Sequence, residues 1–177
     1  MLRNVGILVM IYLGVVAHSS LVPADVMGMG RPFVPAILLV FIAAACHPNL
    51  AIVWAGFVGF LLDGLSTERL GIQVGLAAML GLGLQLTQSL WRSRSLIAMV
   101  AMSMLVCVAW RALSPMSQAI LTGRVVDPHS ILTDAVQDAA WTAVVACVLV
   151  LGLRIFRQGP TEPVVNRPAP RWNTAVR

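Results

Sequence analysis

Lysine is absent from this chain: all twelve basic residues are arginine, and aspartate and glutamate together number only seven. Charged residues make up 11% of 177 positions, where a soluble domain carries about 25%. Without lysine there can be no Ser–Lys dyad, and neither an HExxH nor a GxSxG spacing occurs, so the common hydrolase signatures are missing. The three cysteines, Cys46, Cys107 and Cys147, are an odd number, lie in separate apolar runs and form no CxxC pair; they read as buried free thiols. His18, His47 and His129 are equally scattered, which gives no basis for a metal site. No basic patch is interleaved with aromatic residues, which argues against nucleic acid as a partner.

What the chain has instead is apolar length. Hydrophobic residues reach 59% and the mean hydropathy is +0.88, values of an integral membrane protein. Six candidate spans follow: Val5–Val22, Phe33–Cys46, Leu50–Leu65, Gly71–Leu90, Ser95–Leu113 and Val136–Phe156. The expected fold is an all-α, polytopic membrane bundle of about six transmembrane helices. The second and third spans fall short of the ~20 residues that an unaided crossing takes. They meet at His47-Pro48-Asn49, where Pro48 disfavours helix at His47 and predicts a tight helical hairpin. The first span resembles a signal peptide in length, but Ala17–Ser20 is a poor cleavage region, so an uncleaved first helix is expected.

Arginine placement orients the spans. A cytoplasmic N-terminus puts Arg3, Arg92, Arg94 and five arginines from Arg154 onward inside, leaving Arg31, Arg69, Arg111 and Arg124 outside. Residues 1–157 then form a six-helix transmembrane domain, with both termini cytoplasmic. Residues 158–177, rich in proline and arginine, read as a disordered tail held to anionic lipid. The segment from Ser114 to about Ala135 reads as an outer loop.

One stretch, "GFVGFLLDGLSTERLG" from Gly56 to Gly71, sets an aspartate among apolar and small residues. A carboxylate facing lipid costs a few kcal/mol, so Asp63 needs a reason to be there. Gly56, Gly59 and Asp63 fall at i, i+3 and i+7 on one helical stripe; Gly71, Gly75 and Ala78 start a second ridge that runs on to Gly81, Gln85 and Gln88. Small residues let helices approach closely and polar ones bond across the contact, so the third and fourth helices are expected to pack here. Asp63 also opposes the dipole at its own helix end. Two groups can compensate it: the Arg69 guanidinium, or the free amides that open the next helix near Gly71. A locked turn, a face for a protein partner or ligand, and a proton relay all remain open for this stretch.

The outer segment has its own pattern. In "SILTDAVQDAAW" from Ser130, the residues Asp134, Asp138 and Trp141 share one side of a helix that Ser130 is placed to cap, as a possible outer-surface contact; Arg111 is an internal alternative partner for one of these acids.

"RPFVPAILLVF" from Arg31, the "HPN" turn, and "GFVGFLLDGLSTERLGIQVG" with its downstream "LQLTQ" resemble the rod shape-determining protein MreD family, over Arg31 to Leu90. The resemblance implies a non-enzymatic inner-membrane scaffold of the cell-wall elongation machinery, the elongasome. It implies MreC as direct partner and MreB, RodA and its transpeptidase as more distant ones. It also implies a fold similar to the substrate-binding component of energy-coupling-factor transporters. The residues that carry it are Arg31, Pro32, Gly56, Gly59, Asp63, Gly71 and Gly75; none is catalytic, and no cofactor is implied. A transporter component for a small, vitamin-type molecule is the alternative, but the first span offers only Gly14 and Ala17 in place of the usual AxxxA docking pattern. An intramembrane enzyme drawing on Asp63, His18, His47, Ser66 and Ser114 has no motif to specify it.

Overall fold

A computed structural model describes residues 2–20, 31–66, 71–88, 96–123 and 127–157. Within them the chain is helical: α1 (Leu2–Ser20), α2 (Val34–Ala45), α3 (Pro48–Leu65), α4 (Ile72–Leu86), α5 (Leu96–Thr122) and α6 (Pro128–Arg157). Three helices, α3, α5 and α6, are long and apolar enough to cross a membrane, while α1, α2 and α4 are shorter apolar helices. Only Cys46 and His47 separate α2 from α3, with Pro48 starting the new helix.

The organising element is α2. Its sequence, VPAILLVFIAAA, has no polar side chain, and a helix apolar all round must be enclosed on every side. It touches each of the other five helices. On one flank Leu38 and Ile42 meet Ile7, Ile11 and Val15 of α1, spaced i, i+4, i+8, with Ala51 and Val58 of α3. On the other, Ala36, Leu39, Val40 and Ala43 pack with Ala55, Ala77, Leu84, Val106 and Trp110. Large apolar side chains that α2 does not engage, such as Phe60, Met79, Leu86, Ile97, Ile120 and Val148, face outward, as suits a surface bathed in lipid.

The two longest helices depart from expectation. α5 does not stop near Leu113 but runs through Pro115 to Thr122. Proline removes one backbone donor without dictating a break where neighbours and side chains absorb the loss; α5 and α6 pack along each other, and the Ser117 hydroxyl donates to the Leu113 and Ser114 carbonyls around that turn. α6 begins at Pro128, so most of the expected outer loop is helix. Its cap is Asp127, whose Oδ1 accepts the His129 N–H at 3.1 Å; Ser130 lies inside the first turn and donates to the Asp127 carbonyl. Cys46 and Cys107 are buried, but Cys147 is exposed on the outward side of α6, because an apolar run has the same composition on its lipid face as on its protein face. The tail 158–177 and Arg92, Arg94 and Arg124 lie outside the described residues.

Candidate functional site

The polar side chains of this bundle gather where helices end. At 12 residues α2 is about 18 Å long, well short of an apolar core about 30 Å thick, so in a membrane at least one of its ends falls inside the core. Backbone groups there have to be satisfied by protein. At its N-terminus the Phe33 N–H donates to Thr142 Oγ1 at 2.8 Å, and the Arg31 N–H donates to Asp138 Oδ1 at 2.6 Å. Asp138 and Thr142 sit one turn apart on α6, and the Thr142 hydroxyl donates in turn to the Asp138 carbonyl at 2.6 Å. At the other end the Ala43 carbonyl accepts from Gln88 Nε2, just past the end of α4, at 2.9 Å and from Gln85 Nε2 of α4 at 3.5 Å.

Asp63 does the same for α4. Buried to 2% exposure, its carboxylate accepts the N–H groups of Gly71 at 2.8 Å, Gln73 at 3.1 Å and Val74 at 3.2 Å, the amides that an α-helix leaves unpaired at its start. The carboxylate also faces the positive end of the α4 dipole. Of the two compensating groups anticipated for Asp63, the amides are in place, and Arg69 lies outside the described residues.

Gly59 is in the α3–α4 seam. A β-carbon there would come within 2.5 Å of the Gln73 carbonyl oxygen, 2.7 Å of Val74 Cα and 2.8 Å of Ala77 Cβ. One turn back, Ala55 Cβ stands 2.7 Å from where Gly81 would carry a β-carbon. The seam is therefore Ala55, Gly59 and Asp63 against Gly81, Ala77 and Gln73, each step of four along α3 matched by a step of four back along α4. Gly56 and Gly75 do not enter it: a β-carbon at either meets nothing within 4 Å. Of the anticipated stripe, Gly59 and Asp63 are in the seam and Ala55 stands in place of Gly56, because the contact follows the i, i+4 row. Gly71 likewise makes no close packing. It holds φ at +100°, a left-handed conformation that suits glycine, and so turns its N–H toward Asp63.

Gln73 joins the two carboxylates into one network. Its Oε1 accepts from Trp110 Nε1 at 2.9 Å and its Nε2 donates to Ser114 Oγ at 3.4 Å. Trp110 lies 5.3 Å from Phe33, whose ring also carries the Arg111 guanidinium at 5.4 Å and the edge of His18 at 5.4 Å. Arg111 closes the circuit by pairing with the Asp138 carboxylate. Asp138, 6% exposed, is thus an internal ion-pair partner and not the outer-surface contact the sequence suggested; Asp134 and Trp141 do remain exposed. Arg31 and Pro32 are half-buried beside this cluster. Gln73, Trp110 and Thr142 had not been singled out, although a glutamine two residues after the helix-opening glycine and the Asp138/Thr142 spacing of one turn were readable signals.

Above the network opens a cavity of about 730 Å³, bounded by the C-terminal ends of α1, α3 and α5 and the N-terminal ends of α4 and α6, with Phe33 in its wall. Among the described residues no group of three or more His, Cys, Asp or Glu side chains is placed to hold a metal ion.

A family model for rod shape-determining protein MreD matches residues 1–159. The chain belongs to the MreD family. The match takes in all six helices, well beyond the Arg31–Leu90 stretch that carries the resemblance. Membership in the MreD family gives the protein a role in rod shape determination and, with its apolar helices, a place in the inner membrane. MreD proteins are shape-determining structural proteins, associated at family level with the MreC/MreB shape system. Neither the curated proteins nor the solved structures yield a match.

Proposed function

We propose that this chain is a non-enzymatic scaffold of the cell-wall elongation machinery, binding MreC directly and reaching MreB, RodA and its transpeptidase through it. The family match over residues 1–159 is the observation that carries the reading. The use of the polar groups supports it: the buried Asp63, Asp138 and Thr142 and the half-buried Gln85 and Gln88 each bond a backbone group at a helix end, a division of labour that builds a rigid platform. In this reading the open glycines Gly56 and Gly75 and the exposed Asp134 and Trp141 face partners, because small residues on an unfilled helix face admit a second helix closely. Arg31, Pro32 and Gly71 hold the end of the bundle that presents them, and Arg69 is assigned to the same end. The transmembrane unit is residues 1–157, crossing six times with both termini cytoplasmic and residues 158–177 as a cytoplasmic tail. The likeness to the substrate-binding component of energy-coupling-factor transporters belongs to this proposal as an architecture, without its transport activity.

Affinity purification of the full chain from native membranes, with identification of co-purifying proteins, tests the scaffold. Recovery of MreC is expected. Recovery of a transport ATPase and its membrane coupling subunit in place of MreC would overturn the scaffold in favour of a transporter component.

A further inference from the structure

The cavity at the helix ends has a chemistry of its own that the scaffold role does not use. Arg111, Ser114 and Gln118 stand at i, i+3 and i+7 on α5, so a single polar stripe lines it. Leu62 and Leu65 of α3 and Ile131 of α6 contribute apolar lining, and Phe33 contributes an aromatic ring. A volume of about 730 Å³ between helices, mostly apolar but with a few convergent polar groups, has the size and make-up of a small-ligand site.

The charges choose the ligand. Arg111 has five N–H donors; one terminal nitrogen pairs with Asp138, Nε is buried without a partner, and 37% of the side chain is exposed. Asp138 is already engaged by Arg111 and by the Arg31 N–H. The Gln118 side chain makes no described hydrogen bond and His18 adds a ring nitrogen to the lining. The cavity thus offers donors beside an apolar body, while Asp134, exposed at its edge, disfavours a multiply charged head.

We propose that this cavity binds a monoanionic amphiphile, an oxyanion headgroup on Arg111 and Gln118 with its apolar body along Leu62, Leu65 and Ile131. A phospholipid phosphodiester and a free phosphate share the headgroup chemistry, and the apolar lining favours the lipid.

The full chain, purified in neutral maltoside detergent, is titrated with dioctanoyl phosphatidylglycerol, dioctanoyl phosphatidylcholine and inorganic phosphate, with occupancy read by native mass spectrometry. One phosphatidylglycerol per chain is expected, with phosphatidylcholine at least about tenfold weaker and no competition from phosphate at equal concentration. Equal binding of the two lipids would overturn the anionic head; phosphate competing as well as the lipid would overturn the amphiphile. Arg111→Gln combined with Asp138→Asn removes both charges together, so no carboxylate is stranded, and Gln118→Leu disturbs no described hydrogen bond. Both variants are expected to lose phosphatidylglycerol selectivity. Retention of wild-type selectivity in Gln118→Leu and in the double variant overturns the site, and if the double variant does not fold the Gln118→Leu result decides alone.

Discussion

The Asp63 carboxylate accepts the Gly71 backbone N–H at 2.8 Å, across the turn that joins α3 to α4. One residue thereby answers two needs. α3 ends with a negative dipole and α4 begins with unpaired donors, and a carboxylate placed between them satisfies the donors while facing the positive end of the second dipole. An aspartate in an apolar helix is explained by the helix that follows it.

Asp63→Asn keeps one acceptor oxygen but turns an amide NH₂ toward backbone donors, whereas Asp63→Leu removes every acceptor. Expected losses are about 1 kcal/mol for Asn and about 3 kcal/mol for Leu, from buried N–H groups left unmade. Thermal unfolding in detergent measures stability, and cell-shape complementation measures function. Equal stability of wild type and Asp63→Leu would remove the clamp; a stable, assembled Asp63→Asn with no function would bring proton chemistry back.

Gly59 and Gly75, both expected at the contact of α3 with α4, have different surroundings. Gly59→Leu forces a side chain into the Gln73 backbone and should cost about 1–3 kcal/mol through overpacking. Gly75→Leu enters open space, so the isolated protein should keep its melting temperature, while recovery of MreC in a pull-down should fall if that face receives the partner. A destabilised Gly75→Leu would contradict the seam described here.

How far the sequence disclosed this arrangement depends on the physical signal at each residue. The membrane bundle, the Pro48 hairpin and the importance of Asp63 were legible, because hydropathy, a missing backbone donor and an isolated charge are strong local signals. The α3–α4 seam was legible only in outline: Gly56, Gly59 and Gly75 are the same residue type, and nothing local tells a glycine facing Ala77 from one facing lipid. Asp138 looked exposed because α6 was expected to leave the membrane there; it is instead enclosed by the Arg31 N–H just ahead of α2 and by the Arg111 guanidinium. The Gln73–Trp110 bond joins residues 37 positions apart, and a contact so distant leaves no periodicity to read.

Gly71→Ala places a β-carbon on a residue whose φ is +100°, where an L side chain is strained although space is open around it. About 1–2 kcal/mol should be lost. Unfolding of Gly71→Ala, Asp63→Asn and the double variant forms a cycle: because both act on one hydrogen bond, the combined loss should be smaller than the two single losses added. Full additivity would show that Gly71 acts independently of Asp63.

Arg111 and Asp138 give a second cycle. Arg111→Gln alone strands a buried carboxylate and should cost about 3–5 kcal/mol, and the added Asp138→Asn should recover part of that by removing the stranded charge. Asp138→Asn alone keeps an oxygen for the Arg31 N–H but weakens its hold on Arg111. No recovery in the double variant would mean that the ion pair matters chiefly through the Arg31 amide.

Orientation can be argued again with the ion pair in view. Arg111 pairs with Asp138 within the bundle, so it drops out of the tally of arginines that sort to the cytoplasmic side. In the six-span reading of the sequence, that leaves Arg31, Arg69 and Arg124 outside against Arg3, Arg92, Arg94 and five from Arg154 onward inside. The cavity end should therefore face outward and both termini inward. Cysteine scanning in intact cells tests it, in a background where the exposed Cys147 is replaced by serine. A membrane-impermeant maleimide should label a cysteine at Thr122, at the cavity-side end of α5, and should leave one at Thr174 unlabelled until the membrane is opened. The reverse pattern would put the cavity, Asp134 and the Asp63 turn in the cytoplasm, and would move any partner contact at that end to the cytoplasmic components of the shape system.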